Sequence, residues 1–299
     1  MSLVKSADAS AAFTLIHLSD FHCCRPSGAG PAGFLNKRLL SYLSWRIRRR
    51  HNHRPEHLEC LTRAVKAESA DMVAVTGDLT QLALPAEFRQ VRERLQALGP
   101  PEKVFVVPGN HDALVKVPWH LGLGIWSDYM ASDSDNGQGP LEFPTLRVRD
   151  PVALIGLSTA LPTRPLSAAG RIGAAQLQRL ADLLEESARK ALFRVILIHH
   201  PPLPGMVSRR KALRDAGELK AIIKRCGAEL ILHGHSHRLS HAELSGPPAP
   251  IPILGVSSAT ASSQKPSQRA AFRRIRIGRA AGGWHTCVED QHLQTNAPA

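Results

Sequence analysis

Short runs of β-branched and apolar residues recur at 13–18 (FTLIHL), 71–76 (DMVAVT), 103–107 (KVFVV), 152–157 (VALIGL), 192–198 (LFRVILI) and 229–232 (ELIL). Runs this short and continuous predict strands buried on both faces, as in a sheet covered by helices. Between them, 56–69, 85–98, 173–189 and 213–225 carry helical periodicity, with Pro85 near a helix start and Gly99 and Gly227 just past helix ends. After Gly234 the pattern turns to strand-like segments at 238–244, 251–256 and 271–277 with Gly and Pro between them, as for added sheet edges. No linker divides the chain, so residues 1–299 are expected to form a single α/β domain.

The polar residues that end these runs carry the chemistry. Segment 13–18 runs into Ser19-Asp20-Phe21-His22, 71–76 into Gly77-Asp78, and 103–107 into Pro108-Gly109-Asn110-His111-Asp112. Further on, 192–198 runs into His199-His200-Pro201-Pro202, and 229–232 into His233-Gly234-His235-Ser236-His237. Ligands of open α/β sheets gather outside the carboxyl ends of strands. Five such ends loaded with Asp, Asn and His point to one shared site.

Charge narrows the class. The 299 residues carry a formal net charge of +13, yet 21–55 and 244–288 together hold fourteen Lys or Arg and no acid, so the rest of the chain is nearly neutral. Two basic stretches on a neutral body differ from a uniformly basic nucleic-acid coat. With 43% hydrophobic and 21% charged residues the chain can bury a full core. Its longest apolar runs fall far short of the ~20 residues of a membrane-spanning helix. Residues 1–12 do not read as a secretory signal. Five cysteines at no metal-type spacing point to a reducing cytoplasm.

Carboxylates, an amide oxygen and imidazoles without a thiolate suit borderline divalent metals: Mn, Fe, Zn or Co. Seven candidate ligands are too many for one ion and fit two ions that share a carboxylate, an arrangement that clamps in-line displacement at phosphorus. A water between the ions is then the expected nucleophile, and no Ser or Cys nucleophile is required. Gly77, Gly109 and Gly234 would let the backbone turn tightly beside the ions.

Asp20-x-His22, Gly77-Asp78, Gly109-Asn110-His111-Asp112, His199-x-Pro201 and Gly234-His235-x-His237 resemble, in order and spacing, the five motifs of calcineurin-like metallophosphoesterases. The length, HHPP and GHSH are most similar to the bacterial class III cyclic-nucleotide and glycerophosphodiester phosphodiesterases. The resemblance implies a four-layer α/β/β/α sandwich with two mixed sheets. It implies that Asp20, His22 and His237 hold one metal, that Asn110, His199 and His235 hold the second, and that Asp78 bridges them. It implies further that His111 contacts the phosphoryl oxygen or protonates the leaving group while Asp112 orients His111. His200 is expected in the pocket or behind the ligands. The substrate implied is a small phosphodiester such as a cyclic nucleotide. A nucleotide-linked lipid is the runner-up, and a nuclease or a non-catalytic metal-binding scaffold stands behind both.

The insert at 36–54, NKRLLSYLSWRIRRRHNHR, places Leu39, Leu40, Leu43 and Ile47 at helical spacing among Lys37, Arg38, Arg46, Arg48, Arg49 and Arg50, with Tyr42 and Trp45. A basic amphipathic helix with aromatics fits an anionic membrane surface, which would make the protein peripheral on the inner face. It could instead pack its apolar side on the body or, less favoured, hold a nucleic-acid backbone. In the second stretch Arg274 and Arg276 alternate with Ile275 and Ile277, the pattern of a strand with one solvated face. His17, His53, His57, His120, His285 and His292 are assigned to structural or surface roles, with His233 undecided. Cys23 and Cys24 read as small loop residues, Asp133, Asp135 and Asn136 as a surface loop, and 291–299 as a frayed tail.

Overall fold

Alternation within single strands determines how the layers stack. The computed structural model describes residues 12–23, 26, 37–135, 139–247, 249–280 and 282–293, without the Arg48 side chain. In β1 (Phe13–Leu18), Leu15 turns to one face while Ile16 and Leu18 turn to the other, and all three are buried. In β6 (Phe193–Ile198), Val195 and Leu197 likewise oppose Ile196 and Ile198. A strand apolar on both faces must be covered twice.

The first sheet has the order β11-β10-β1-β2-β3, where β2 is Met72–Val75, β3 Val104–Val106, β10 Ala271–Ala280 and β11 Gly283–His292. Strands β1, β2 and β3 are parallel, and β10 and β11 run antiparallel to their neighbours. The second sheet has the order β4-β5-β6-β7-β9-β8, with β4 at Thr145–Arg149, β5 at Val152–Gly156, β7 at Leu230–His233, β8 at Ser240–Leu244 and β9 at Ile251–Gly255. Both sheets are mixed, as expected. Leu15, Met72 and Phe105 of the first meet Leu154, Val195 and Leu232 of the second in a buried core between the sheets.

Helices complete the sandwich. Leu58, Leu61 and Val65 of α3 (Pro55–Ala67) and Phe88, Val91 and Leu95 of α4 (Pro85–Leu98) cover the outer face of the first sheet. Leu177, Leu180 and Leu184 of α5 (Ala174–Arg189) and Leu219 and Ile223 of α6 (Ala216–Cys226) cover the second. The layering is α/β/β/α. No helix among the described residues is long and apolar enough to cross a membrane.

The insert departs from a simple amphipathic helix. It begins as α1 (Lys37–Ser44), widens into a π-turn over Trp45–Arg49, and closes with α2 (Arg50–Asn52). Its apolar side does not pack on the body: Leu39, Leu43 and Ile47 are 46%, 44% and 70% exposed, and only Tyr42 leans on the core. Strands β4 and β11 were not anticipated. Gln291 and His292 pair with Phe272 and Ala271, so that part of the expected frayed tail is strand. Asn36, Cys24, Asn136, the Arg48 side chain and residues 294–299 lie outside the described residues. Asp133 accepts from Val148 N at 2.7 Å and Asp135 from Ser132 N at 2.6 Å, as surface-turn acids do.

Candidate metal centre

Each ligand candidate follows directly on a strand. Asp20 and His22 follow β1, Asp78 follows β2, Asn110 and His111 follow β3, His199 follows β6, and His235 and His237 follow β7, so both sheets feed one end of the sandwich. The bends that turn these side chains inward are strained. Asp20, His22, Asp78, His235 and His237 all have φ between 40° and 64°, a conformation L-residues seldom adopt and one that clusters at functional sites. Close approach of backbone explains two glycines. A Cβ on Gly109 would lie 2.3 Å from Asp78 N, and one on Gly234 would lie 1.9 Å from Ser19 Oγ.

Hydrogen bonds behind the ligands fix which atoms face inward. His22 Nδ1 donates to Thr80 O at 3.2 Å and His199 Nδ1 to Thr76 O at 2.6 Å, which turns both Nε2 atoms inward. His235 Nε2 points to Lys211 O at 3.0 Å, leaving its Nδ1. His22 Nε2 lies 3.3 Å from His237 Nε2, and His237 Nε2 lies 3.2 Å from Asp20 Oδ1. On the other side, His199 Nε2 is 3.3 Å from Asn110 Oδ1 and 3.3 Å from Asp78 Oδ2. Asp78 Oδ2 is also 3.8 Å from His22 Nε2, so this carboxylate stands between the two sets. Imidazole nitrogens turned toward one another and toward carboxylates fit cations between them. The two sets fit two divalent ions, as their chemistry predicts.

Burial and neighbouring imidazoles hold His22 and His235 well below the usual histidine range. Burial also works against charge on His199, but Asp78 outweighs it and lifts its pKa to about 9. Burial opposes ionisation of Asp78, yet His199 and His111 hold its pKa well below the ordinary carboxylate value.

His111 is held otherwise than expected. Asp112 accepts from Leu79 N at 3.0 Å, Thr80 N at 2.9 Å and Gly109 N at 2.9 Å, so it ties two strand-end loops together, and its influence on His111 runs through the backbone. Burial and the nearby Asp78 raise its pKa to about 7. The His111 ring is set by Gln81 O, which accepts from Nδ1 at 2.7 Å, and by Arg49, whose Nη1 lies 3.0 Å from Nε2. Burial is the main cause that lowers the His111 pKa to about 4. The loop bearing Gln81 is cradled by the buried Glu87, which accepts from Leu82 N at 2.9 Å and Leu84 N at 3.0 Å.

Arg49, read from sequence as a membrane or polyanion contact, reaches the site. Its Nη2 donates to Ser41 O at 2.7 Å, and the π-turn lets the insert fold back that far. Lys37 and Arg38 also turn to the body, Lys37 donating to Ser167 O at 2.8 Å and Arg38 to Leu82 O at 2.9 Å. Arg46 is exposed, and Arg50 Nε donates to His51. Trp45 stacks on Tyr42 with ring centres 5.7 Å apart, at the edge of a cleft of about 540 Å³ that reaches His22.

Of two further histidines, one stands behind the ligands as its assignment allows and the other departs from its assignment. His200 lies behind the ligands, with Nδ1 2.7 Å from Thr159 Oγ1 and Nε2 3.0 Å from Ala168 O; burial lowers its pKa to about 3. His53, assigned a structural or surface role, sits beside His22 and His237 with its ligand atom within 4.8 Å of theirs. Its neighbourhood depends on a bridge to Ala261, far away in sequence, and no local pattern announces it. His233 is buried beneath the site, with Nδ1 donating to Gly234 O at 2.9 Å.

A layered α/β/β/α sandwich with Asp, Asn and His at five strand ends defines a phosphoesterase fold. The sequence model of the calcineurin-like phosphoesterases matches residues 13–239, and the chain belongs to that family. A probable cyclic nucleotide phosphodiesterase of Synechococcus sp. is 28% identical over 177 residues, covering 58% of this chain and 60% of that protein. The match thus spans less than two thirds of the relative. Among solved structures, a dimetal phosphatase from Danio rerio superposes with a TM-score of 0.54 at 15% identity, covering 93% of this chain and 99% of that one. A purple acid phosphatase from yellow lupin seeds superposes with a TM-score of 0.60 at 12% identity, covering 96% and 52%. At those identities the likeness is one of fold.

Proposed function

We propose that the protein is a dinuclear metal-dependent phosphodiesterase acting on a small molecule such as a cyclic nucleotide. The observation that carries this reading is the meeting of Arg49 and His111 beside two convergent ligand sets, Asp20–His22–His237 and Asn110–His199–His235, with Asp78 between them. Two divalent ions bound there would lower the pKa of water and neutralise charge on the phosphoryl group.

The chain's own groups supply the rest. Arg49 offers a guanidinium, anchored at Ser41 O, to a non-bridging phosphoryl oxygen. An anion arriving against Arg49 draws its Nη1 away from His111 Nε2 and favours a proton on that nitrogen. His111, oriented by Gln81 O, then hands the proton to the departing oxygen. Two clefts lead away from this point. One of about 310 Å³ runs past His111, Leu40, Leu166 and Arg210; the other, of about 590 Å³, runs past His237, Arg238, Asn52 and Gln268. Two outlets suit the two ester arms of a diester.

A second reading, a nucleotide-linked lipid met at an anionic membrane surface, is favoured by one observation: Leu39, Leu43 and Ile47 project from the insert beside the cleft walled by Leu40 and Leu166. A panel of cyclic nucleotides, glycerophosphodiesters, nucleotide-linked lipids and oligonucleotides separates the substrates. Purified protein is expected to carry about two transition-metal ions per chain and to hydrolyse bis(p-nitrophenyl) phosphate. Absence of metal together with inactivity after Mn supplementation would defeat the phosphodiesterase reading. His111→Ala is expected to keep both ions and lose turnover by ~10²–10⁴-fold; full activity in that variant would remove the role given to His111.

A further inference from the structure

His53 closes the insert, two residues before the start of α3, and is 9% exposed. Its backbone is pinned at several points: His53 N donates to Arg49 O at 3.1 Å, Arg54 N donates to Thr260 O at 2.8 Å, and residue 53 bridges to Ala261. Its Nδ1 lies 2.9 Å from Thr260 Oγ1 and 3.3 Å from Ser258 Oγ. Both hydroxyls commit their proton elsewhere. Thr260 Oγ1 donates to Phe21 O at 2.7 Å, and Ser258 Oγ donates to Asp20 O at 2.6 Å. A hydroxyl has one proton to give, so both oxygens face His53 as acceptors, and Nδ1 must carry the imidazole proton. Nε2 is therefore a bare lone pair.

The ring stands against the metal centre. The ligand atoms of His22, His53 and His237 all lie within 4.8 Å of one another, and the His53 ring centre stands 4.8 Å from that of His22 and 5.5 Å from that of His237. The design repeats that of His22 and His199, whose Nδ1 atoms are tied back so that Nε2 faces inward. Three imidazoles thus converge on one point. A cation resolves that convergence.

We propose that His53 is an additional ligand of the ion held by Asp20, His22, Asp78 and His237. The inference rests on the dinuclear reading and adds to it an asymmetry. The ion on the His237 side has three imidazoles, whereas its partner has His199, His235 and the amide oxygen of Asn110. The nitrogen-rich side then suits Zn or Fe more than Mn. It also gives the insert a structural part in the metal centre, because the ligand sits at the end of the same segment that supplies Arg49.

The test is metal binding in the folded protein, read by chelator competition and by the visible absorption of the Co²⁺-loaded form. In wild type, two Co²⁺ ions bind. In His53→Ala one of the two binding steps weakens by ~10- to 100-fold and the absorption of one cobalt changes, while the other step is unaffected. Thermal melts of the metal-free variant check folding, and His53→Gln, which keeps a hydrogen-bonding side chain against Thr260, gives the same loss where Ala does not fold. Two unchanged binding steps and an unchanged spectrum in either folded variant would overturn the proposal while leaving the dinuclear reading intact. Failure of wild type to bind Co²⁺ would instead overturn both.

Discussion

The two basic stretches look alike in sequence and end differently. Along β10, Arg273 meets Asp290 at 2.7 Å, Arg274 pairs with Glu68 and Glu289, and Arg276 pairs with Glu289. Asp290 and Glu289 lie just beyond the acid-free window, and the hairpin to β11 brings them into register, with Arg273 opposite Asp290 and Arg274 opposite Glu289, while Glu68 comes from the end of α3. Those three charges are thereby neutralised at home. In the insert, Lys37, Arg46, Arg49 and Arg50 make no ion pair among the described residues, and the half-buried Arg49 lies against an imidazole and a carbonyl. A cation left without an acid close to a phosphate-cleaving centre is available for an anion that comes from outside. Local charge density thus says little about function until the fold shows which charges have found partners.

The largest way to separate the two regions is acid. Burial lowers His53 to about 2, His200 to about 3, and His111 and His233 to about 4, against an ordinary value of 6.5. A depressed folded-state pKa contributes stability that is present above the unfolded pKa and is lost as pH falls through the folded one. Asp112, raised to about 7, works oppositely over the same range and returns one proton's worth. These four imidazoles less Asp112 amount to about three protons taken up on unfolding near pH 5.5, a slope on the order of 4 kcal/mol per pH unit, and His17, His22 and His235, which burial also holds well below the ordinary value, steepen it further. Thermal melts of chelator-treated protein between about pH 7 and 5 measure it. The arginines of β10 do not titrate there, so a flat profile would mean that the buried imidazoles under the insert are not neutral in the fold.

Next is a paired exchange. Arg49→Ala should lower kcat for bis(p-nitrophenyl) phosphate by ~10²–10³-fold, with partial recovery on adding guanidinium and little loss of stability. Arg273→Ala should do the reverse, leaving kcat unchanged while lowering the urea midpoint by the equivalent of about 1–2 kcal/mol. That figure is held down because Asp290 keeps part of its solvent. Equal losses of turnover in the two variants would erase the contrast between a paired and an available arginine.

How far each region could be read from sequence follows from the same geometry. The seven ligand candidates stood out because each breaks an apolar strand run at its end, and the fold gathers those ends by rule. The layers were legible for the same reason, since only strands covered on both faces read as unbroken apolar runs. Strand β11 has no such signal: it is an edge strand, mostly exposed on both faces, and only Trp284 reaches the inter-sheet core. Strand β4 was hidden by Arg147, a buried arginine whose guanidinium serves the carbonyls of Ala131, Asp128 and Val104. His53 and Arg49 depended on the path of the insert, a π-turn and a bridge to Ala261, which hydrophobic periodicity does not encode. Asp112 could be placed near His111 by adjacency alone, but which atoms its carboxylate would serve depended on how the loops after β2 and β3 meet.

The smallest expected effect concerns the outer face of the insert. Leu39, Leu43 and Ile47 lie on one exposed side of it, with Arg46 and Arg50 also in solvent. If that face lies on lipid, the arginines approach the headgroups while the apolar side chains enter the boundary region, and each cation near an anionic surface contributes about 1 kcal/mol. Vesicles containing phosphatidylserine should then bind the protein more tightly than neutral ones, and Arg46→Ser or Arg50→Ser should each weaken binding by roughly five-fold. Arg276→Ser should change nothing, because Glu289 already occupies that guanidinium. Equal binding to neutral and anionic vesicles would remove the electrostatic part of this reading. Equal sensitivity at Arg276 would show that the vesicles sense total charge, and the distinction between the insert and β10 would then lie only at Arg49 and the site it enters.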